Sequence, residues 1–141
     1  MKLTPHFTLE ELIHSDTAVR HDIDNTPDQE VVENLHKLAE GLEDVRKLLC
    51  YPIFVSSGYR CLELNTLLKS KPTSAHVKGY AADLICPAYG PVEEIMEAIV
   101  NSNIEYDQCI IEFAQWIHLS FAPEMRRNNL IIDKEGVRLY E

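Results

Sequence analysis

The chain has 141 residues, 45% of them hydrophobic and 26% charged, which predicts a soluble protein with a single buried core over residues 1–141. Its 13 basic and 23 acidic residues give a formal net charge of −10 at pH 7. This acidic balance argues against nucleic acid as a partner, because phosphate binding needs a basic face. It argues equally against electrostatic adhesion to anionic membranes or wall polymers.

The amino-terminal half of the chain carries the patterns of helices. Thr8 and Glu11 form a capping box that predicts a short helix over residues 8–14, and the polar stretch after it reads as a loop. A second capping box in TPDQ, with Pro27 at the first helical position, opens the longest predicted helix. Apolar residues in that helix recur at intervals of four and three, which predicts one buried face. They are Val31, Leu35, Leu38, Leu42, Val45 and Leu49.

The remainder of the chain is richer in strand patterns. Strands are predicted at YPIFVSS, YAADLI, QCIIEF and WIHLSF, and a terminal hairpin bends at Gly136. A short helix over residues 61–68 and a longer one after Gly90 and Pro91 lie between these strands. Helices that precede strands in this order predict an α+β fold, in which amino-terminal helices pack on a small, mainly antiparallel sheet.

Three residues of the strand-rich half form a candidate metal site. His76 lies in a turn-rich loop and Asp83 on the following strand, and the six residues between them let the loop turn back. His118 lies on a later strand and shares one face with Trp116 and Ser120. Two histidines and one carboxylate would hold zinc and leave its fourth position open. Taken singly, each histidine is more often a packed or solvated residue than a ligand.

The spacing S-x-H-x-x-G-x-A-x-D, followed by W-I-H, resembles the zinc D-Ala-D-Ala carboxypeptidase family. That family includes vancomycin-resistance D,D-dipeptidases and phage L-alanyl-D-glutamate endopeptidases, and it is grouped with the Hedgehog and lysostaphin-type metallopeptidases. The resemblance runs from VSSGYR to HLSF and implies a single zinc D,D-peptidase-like domain of Hedgehog-like fold. It also implies that His76, Asp83 and His118 are the zinc ligands, and that Arg60 is the active-site arginine. The motif residues are Ser74, His76, Gly79, Ala81 and Asp83.

Several motif positions have a physical reason of their own. Gly79 permits a tight turn, and Ala81 and Ala82 leave space beside a metal ion. Arg60 offers a planar fork of N–H groups to an oxyanion or a substrate carboxylate. For Ser74 two readings are open, a hydrogen bond near the metal and a role in fixing the turn.

The catalytic base departs from the family's pattern. The family commonly has Glu or Asp three residues before the last histidine, whereas this chain has Gln115, whose amide cannot take a proton at neutral pH. The nearest carboxylate is Glu112, which a hairpin would place across from the strand of His118. We expect Glu112 to be the base, and the alternative is a solvated residue at a strand end. Tyr59 and Trp116 are candidates either for the wall of a substrate cleft or for the core.

The resemblance implies a zinc-dependent peptidase that hydrolyses a peptide bond in bacterial peptidoglycan stem peptides, of the D,D-carboxypeptidase or L-Ala-D-Glu endopeptidase type. The amino terminus shows no apolar h-region or cleavage site, which predicts synthesis in the cytoplasm without a signal peptide, and action on the cell wall after release. A phage or prophage lytic enzyme released with the help of a holin fits this prediction, as does a cytoplasmic dipeptidase. The main alternative is an inactive zinc-bearing module that binds peptidoglycan or protein, and a metal-free structural domain is the weaker one.

Overall fold

The computed structural model describes all of residues 1–141 as five α-helices and eight strands. The helices are α1 (Leu9–Ile13), α2 (Asp16–Arg20), α3 (Gln29–Leu49), α4 (Leu62–Leu67) and α5 (Val92–Val100). The strands are β1 (Lys2–Thr4), β2 (Phe7–Thr8), β3 (Phe54–Ser57), β4 (Ala81–Ile85), β5 (Gln108–Glu112), β6 (Trp116–Ser120), β7 (Asn128–Asp133) and β8 (Gly136–Leu139). A 3₁₀ turn, Ala75–Lys78, precedes β4. None of the helices combines the length and the hydropathy that crossing a bilayer requires.

The main sheet has six strands in the order β3-β4-β6-β5-β7-β8. Only β5 and β7 pair in parallel, and the other four pairings are antiparallel. The predicted α+β fold is therefore confirmed, with one parallel pairing that makes the sheet mixed. The predicted terminal hairpin is β7–β8, in which Gly136 adopts a φ of +118° at the bend. Strands β1 and β2 form a separate two-stranded sheet, which the sequence patterns did not predict.

The longest helix, α3, supplies one wall of the core. All six apolar residues predicted for its buried face are buried, and Leu35, Leu38 and Leu42 are fully inaccessible to solvent. They belong to a core cluster of 24 residues that also contains the apolar faces of α5, β4, β5 and β6. Gly41 lies under the ring of Phe121, and a Cβ at this glycine would come within 2.4 Å of the ring's Cζ. The glycine therefore makes room for the ring, at the small cost in helix propensity that glycine carries.

Two predictions for the amino-terminal half are wrong in detail. The polar stretch predicted as a loop contains α2, whose first turn is capped by Ser15. Helix α3 begins after Asp28 because its carboxylate accepts a hydrogen bond from the backbone N–H of Val31 at 2.9 Å. A carboxylate at this position also interacts favourably with the helix dipole, so it replaces the capping box expected at Thr26. The first capping box, of Thr8 and Glu11, is present as predicted.

Alternation along β4 and β6 separates the core from the face that carries the site. Ala82 and Leu119 pair with each other and belong to the core cluster. Asp83 and His118 pair next along the ladder and therefore point to the opposite face. Ala81 shares the face of Asp83, whereas Ala82 fills the core. Of the two alanines expected to leave space beside a metal, only Ala81 lies on the face that carries the site.

The segment after β6 is anchored by an ion pair between Asp107 and Arg126. Asp107 is only 2% exposed, and its carboxylate accepts three hydrogen bonds of 2.8–3.0 Å from the backbone and guanidinium of Arg126. These hydrogen bonds outweigh the effect of burial and hold the pKa of Asp107 below its usual value. The ion pair thus connects the start of β5 to the chain that leads into β7.

We expect Asp107→Asn to lower the free energy of unfolding at pH 7 by roughly 1–3 kcal/mol, because the negative charge is lost and an NH2 donor replaces the Oδ2 that accepts from Arg126 Nη2. The folded state depresses the pKa of Asp107, so the wild type's advantage is present above the unfolded value of about 4 and is lost as the pH falls through the folded value. Urea unfolding at pH 7 and below pH 3 measures this difference. Asp133→Asn, which breaks an exposed pair with Arg138, is the control and should change stability little. A deficit for Asp107→Asn that is equal at both pH values would contradict the assignment.

Candidate metal centre

His76, Asp83 and His118 converge on the outer face of the sheet. Asp83 on β4 is the direct cross-strand partner of His118 on β6, and His76 reaches them from the 3₁₀ turn. Asp83 Oδ1 lies 3.2 Å from His76 Nε2 and 3.1 Å from His118 Nδ1. One potential ligand atom from each residue lies within 4.8 Å of the other two. The structure therefore brings the three predicted ligands together, as the resemblance implied.

The three side chains are buried, with exposed fractions of 3% for His76, 5% for Asp83 and 10% for His118. Burial alone would raise the pKa of Asp83, but hydrogen bonds with His118 and His76 outweigh it and hold this pKa well below its usual value. The carboxylate is consequently ionised at neutral pH. A buried carboxylate is stabilised by positive charge beside it, and Arg60 supplies part of that charge at Oδ2, while Oδ1 faces the two ring nitrogens.

The hydrogen bonding of His76 indicates where that charge belongs. His76 Nδ1 lies 2.6 Å from the carbonyl oxygen of Gly58, so this nitrogen carries a proton and donates it. Nε2 can then donate to Asp83 Oδ1 only if the ring carries a second proton. A metal ion between Nε2 and Oδ1 would take the place of that proton, with a neutral ring offering its Nε2 lone pair to the ion. Metal-bound histidines typically donate their second ring N–H to a backbone carbonyl in this way. The donor arrangement therefore fits a metal ion.

The distances agree with the same interpretation. Zinc takes nitrogen and oxygen ligands at about 2.0–2.2 Å in a tetrahedral arrangement, which separates neighbouring ligand atoms by about 3.4 Å. The two histidine-to-aspartate separations, 3.2 Å and 3.1 Å, are close to that value. Two imidazoles and one carboxylate match zinc's ligand preferences and leave a fourth position for water or substrate.

The carbonyl of Gly58 is held by an unusually close approach of α1. A Cβ at Gly58 would lie 2.2 Å from the carbonyl oxygen of Leu12, which also accepts a hydrogen bond of 2.8 Å from the backbone N–H of Tyr59. Only glycine fits against α1 at this point. The sequence patterns marked Gly58 as a turn residue, and its contact with His76 depends on tertiary packing that no local signal reveals.

The turn that carries His76 is closed at both ends. Ser74 caps it by accepting a hydrogen bond from the backbone N–H of His76 at 3.3 Å. Gly79 ends it in the left-handed region, with a φ of +79°. Of the two roles left open for Ser74, the structure therefore supports the fixing of the turn.

Arg60 extends the site beside Asp83. Its Nε donates to Ser57 Oγ at 3.1 Å, and its Nη2 lies 3.5 Å from Asp83 Oδ2. Burial lowers the pKa of Arg60, while the negative charges of Asp83 and Glu112 act in the opposite direction. Arginine's ordinary pKa is so high that the side chain stays charged. The backbone around Arg60 is held by Asn25, whose amide bonds to Tyr59 O at 3.1 Å and to the N–H of Cys61 at 2.7 Å.

Glu112 lies at the end of β5, on the same face of the sheet as His118. It pairs with Trp116, whereas His118 pairs with Ile110, so Glu112 and His118 are diagonal neighbours, at roughly 7–8 Å between backbones. The indole Nε1–H of Trp116 donates to Glu112 Oε1 at 2.8 Å. Gln115 is exposed in the turn, where its backbone N–H bonds to the carbonyl of Glu112. The carboxylate nearest to the metal ligands on this hairpin is therefore that of Glu112.

A cleft of about 420 Å³ opens beside these residues. Its lining includes Asp83, Arg60, Tyr59 and Trp116. Trp116 thus lies at the cleft, whereas Tyr59 both lines the cleft and belongs to the core cluster. A second wall comes from α2 and the two residues before it, His14 and Ser15, which the sequence patterns did not connect with the site. A larger groove of about 1180 Å³, along the exposed side of α3, contains no residue of the site. Of the two, the smaller cleft is the one lined by the candidate metal ligand Asp83.

Comparison with known protein families agrees with the geometry. The family model described as Peptidase M15 matches residues 5–120, which include α1 to α5 and every residue of the candidate site. The chain therefore belongs to the Peptidase M15 family, and the resemblance to zinc D-Ala-D-Ala carboxypeptidases is confirmed at the family level. The match ends with β6, so the β7–β8 hairpin lies outside it. No curated protein matches the chain significantly.

We expect the wild type to bind one zinc ion per chain, and the variants His76→Ala, Asp83→Ala and His118→Ala each to lose it, because each removes one of three protein ligands. Metal content after dialysis, together with the zinc-induced rise in melting temperature, measures the loss. His36→Ala is the control, because His36 is exposed and bonds only to Glu40. Retention of zinc by all three site variants would show that the metal binds elsewhere.

We expect Gly58→Ala to weaken zinc binding by roughly 10–100-fold, the usual effect of losing the outer hydrogen bond of a metal-bound histidine. The added methyl group must push Leu12 away from the carbonyl that orients His76. Competition with a chelator measures the affinity, and circular dichroism checks the fold. Gly136→Ala is the control: alanine is strained there by the φ of +118°, but its Cβ meets no atom within 4 Å and the hairpin holds no residue of the site, so zinc affinity should not change. Unchanged affinity in Gly58→Ala would show that the carbonyl does not matter for binding.

Proposed function

We propose that this member of the Peptidase M15 family is a zinc-dependent peptidase that hydrolyses a peptide bond in bacterial peptidoglycan stem peptides. The bond would be of the D,D-carboxypeptidase or L-Ala-D-Glu endopeptidase type. The observation that carries the proposal is the convergence of His76, Asp83 and His118 beside a cleft that also holds Arg60. The family supports peptide hydrolysis, and the choice of stem peptides rests on the resemblance of the His/Asp motif.

The metal would be held by His76 Nε2, His118 Nδ1 and a carboxylate oxygen of Asp83. When bound there, zinc supplies a Lewis acid that polarises the scissile carbonyl and makes water a nucleophile near neutral pH. The Gly58 carbonyl keeps His76 in the tautomer that offers Nε2, and the charge of Asp83 balances that of the ion. The burial of all three side chains strengthens these electrostatic effects, because water does not screen them.

Glu112 would act as the general base and acid. The indole N–H of Trp116 donates to Glu112 Oε1. Oε2 is therefore free to take a proton from the attacking water and deliver it to the leaving amine. The hydrogen bond from Trp116 also restricts the rotamers of the Glu112 side chain, so that the carboxylate is held in one direction. Gln115 has no part in this step.

Arg60 would stabilise negative charge on the substrate. Its Nε and Nη2 are engaged by Ser57 and Asp83, and Nη1 makes no bond within the protein. The side chain is 15% exposed, at the wall of the cleft. Nη1 can therefore donate to the oxygen that becomes negative during attack, or to a substrate carboxylate.

A peptidase of this kind would act on the cell wall after release from the cytoplasm. A phage or prophage lytic enzyme would be released with the help of a holin, whereas a cytoplasmic dipeptidase would need no release. The partner in either case is a stem peptide or its fragment. The substitution at position 115 motivates the alternative, an inactive zinc-bearing module that binds peptidoglycan or protein.

Mass spectrometry of purified muropeptides incubated with the zinc-loaded protein tests the proposal. Loss of a terminal D-alanine, with the gain of one water, identifies a D,D-carboxypeptidase. Separation of L-alanine from D-glutamate identifies an endopeptidase. Muropeptides that are bound but left intact would support the binding module instead.

We expect the Glu112→Gln variant to retain its zinc and its fold. Its turnover should fall by roughly 10²–10⁴-fold, the usual contribution of general acid–base catalysis. Steady-state kinetics on the cleaved muropeptide, with metal content measured in parallel, checks this. Gln115→Glu is the matched control and should be neutral, because Glu112 already supplies the carboxylate. Near-normal turnover in Glu112→Gln would exclude Glu112 as the base. A wild type that is inert, and that Gln115→Glu activates, would establish the inactive module.

A further inference from the structure

The cleft contains a second arginine in addition to Arg60. Arg20 is the last residue of α2, and it lines the cleft together with Arg60, Asp83 and Trp116. The two arginines differ in burial and in how many of their N–H groups are bonded within the protein. Arg60 is largely buried and is engaged by Ser57 and Asp83, whereas Arg20 is exposed to solvent.

The guanidinium of Arg20 has no carboxylate partner. It makes one hydrogen bond, from Nη2 to Thr17 Oγ1 at 3.2 Å, and forms no salt bridge. The acidic residue of the same wall, Asp16, is engaged by His14 Nε2 at 2.8 Å. Since arginine has five N–H donors, most of those of Arg20 remain available to a molecule in the cleft.

The negative charge of the whole protein makes a free cation in the cleft significant for the binding of an acidic peptide. With a net charge of −10, the protein as a whole repels an acidic peptide. A peptide that carries carboxylates gains from a cationic group only where N–H donors are free, and in the cleft Arg20 has more of them than Arg60, whose Nε and Nη2 are engaged by Ser57 and Asp83. The planar fork of arginine can bind a carboxylate through two parallel hydrogen bonds.

We propose that Arg20 is a specificity residue, which binds a carboxylate of an acidic peptide substrate while the scissile bond lies at the metal centre. This inference rests on the proposed function, because it concerns the substrate of the same cleft. Arg60 acts at the reacting carbonyl, and Arg20 holds a carboxylate elsewhere on the peptide. That carboxylate belongs either to an acidic residue within the peptide or to its free carboxyl terminus.

Three stem peptides distinguish the two sources of the carboxylate. One has a free D-glutamate carboxylate and a free carboxyl terminus, the second has the glutamate carboxylate amidated, and the third has the carboxyl terminus amidated. Their binding is measured with zinc-loaded Glu112→Gln protein, so that no peptide is consumed. Trp116 is the one tryptophan of the chain and lines the cleft, so its fluorescence reports occupancy directly.

We expect one of the two amidations to weaken binding by roughly tenfold, and Arg20→Gln to weaken binding of the free-acid peptide equally. Arg20→Gln should leave the affinity for that amidated peptide unchanged, so that the preference for the acid disappears. Lys37→Gln removes the same charge in the groove along α3 and should keep the preference. Arg20→Lys should restore it in part, since lysine keeps the charge but loses the fork.

An acid preference that survives in Arg20→Gln, or that Lys37→Gln removes equally, would overturn the role of Arg20. So would a wild-type site that binds all three peptides equally or binds none of them. Turnover of the three peptides by the otherwise unmodified zinc-loaded protein separates this inference from the proposed function. Cleavage without an acid preference rejects Arg20 alone, whereas an Arg20-dependent preference without cleavage rejects the peptidase and keeps the acidic-peptide subsite.

Discussion

The pairing of Asp83 with His118 across β4 and β6 is the constraint on which the site depends. Antiparallel strands hold directly opposite side chains on one face, so two of the three candidate ligands are positioned by the backbone ladder itself. The core packs against the other face of the same strands, where Ala82 and Leu119 are fully buried. The ladder therefore links the stability of the core to the geometry of the metal centre, because neither strand can shift without moving both faces.

The amino-terminal part of the chain supports the site by holding the backbone beside His76 and Arg60. Helix α1 presses Leu12 against Gly58, whose carbonyl orients His76, and Asn25 braces the chain on both sides of Arg60. These contacts join segments far apart in sequence, and they fix side chains that carry the proposed chemistry. The helical half thus acts as a second support for the metal centre, which agrees with a family match that includes both halves.

The turn between β5 and β6 places the proposed base. Phe113 and Ala114 both adopt left-handed φ values, +54° and +53°, which are uncommon for residues that have a Cβ. The turn is held by the pairing of Glu112 with Trp116 and by the bond from Phe113 N–H to the carbonyl of Ile132. A strained connection of this kind brings the two ends of the hairpin close together, so that the indole of Trp116 reaches the carboxylate of Glu112. Hairpin geometry therefore sets the position of the proposed base, and its distance in sequence from His118 is a poor guide.

Local signals along the chain are enough to predict several elements. The apolar spacing of α3, the capping box of α1, the strand pair β5–β6 and the S-x-H-x-x-G-x-A-x-D motif all follow from neighbours a few residues apart, so the fold class and the three candidate ligands could be predicted. The start of α3 was predicted at the capping box of Thr26, but Asp28, two residues later, is the cap. Helix α2 was not predicted because five residues give too short a pattern. That residues 1–141 form one domain stays a prediction. Three features can be seen only in the folded protein: Gly58 orients His76, Asn25 holds the backbone on both sides of Arg60, and Arg20 lines the cleft. They join segments whose approach depends on the packing of the whole core, so no local pattern reveals them.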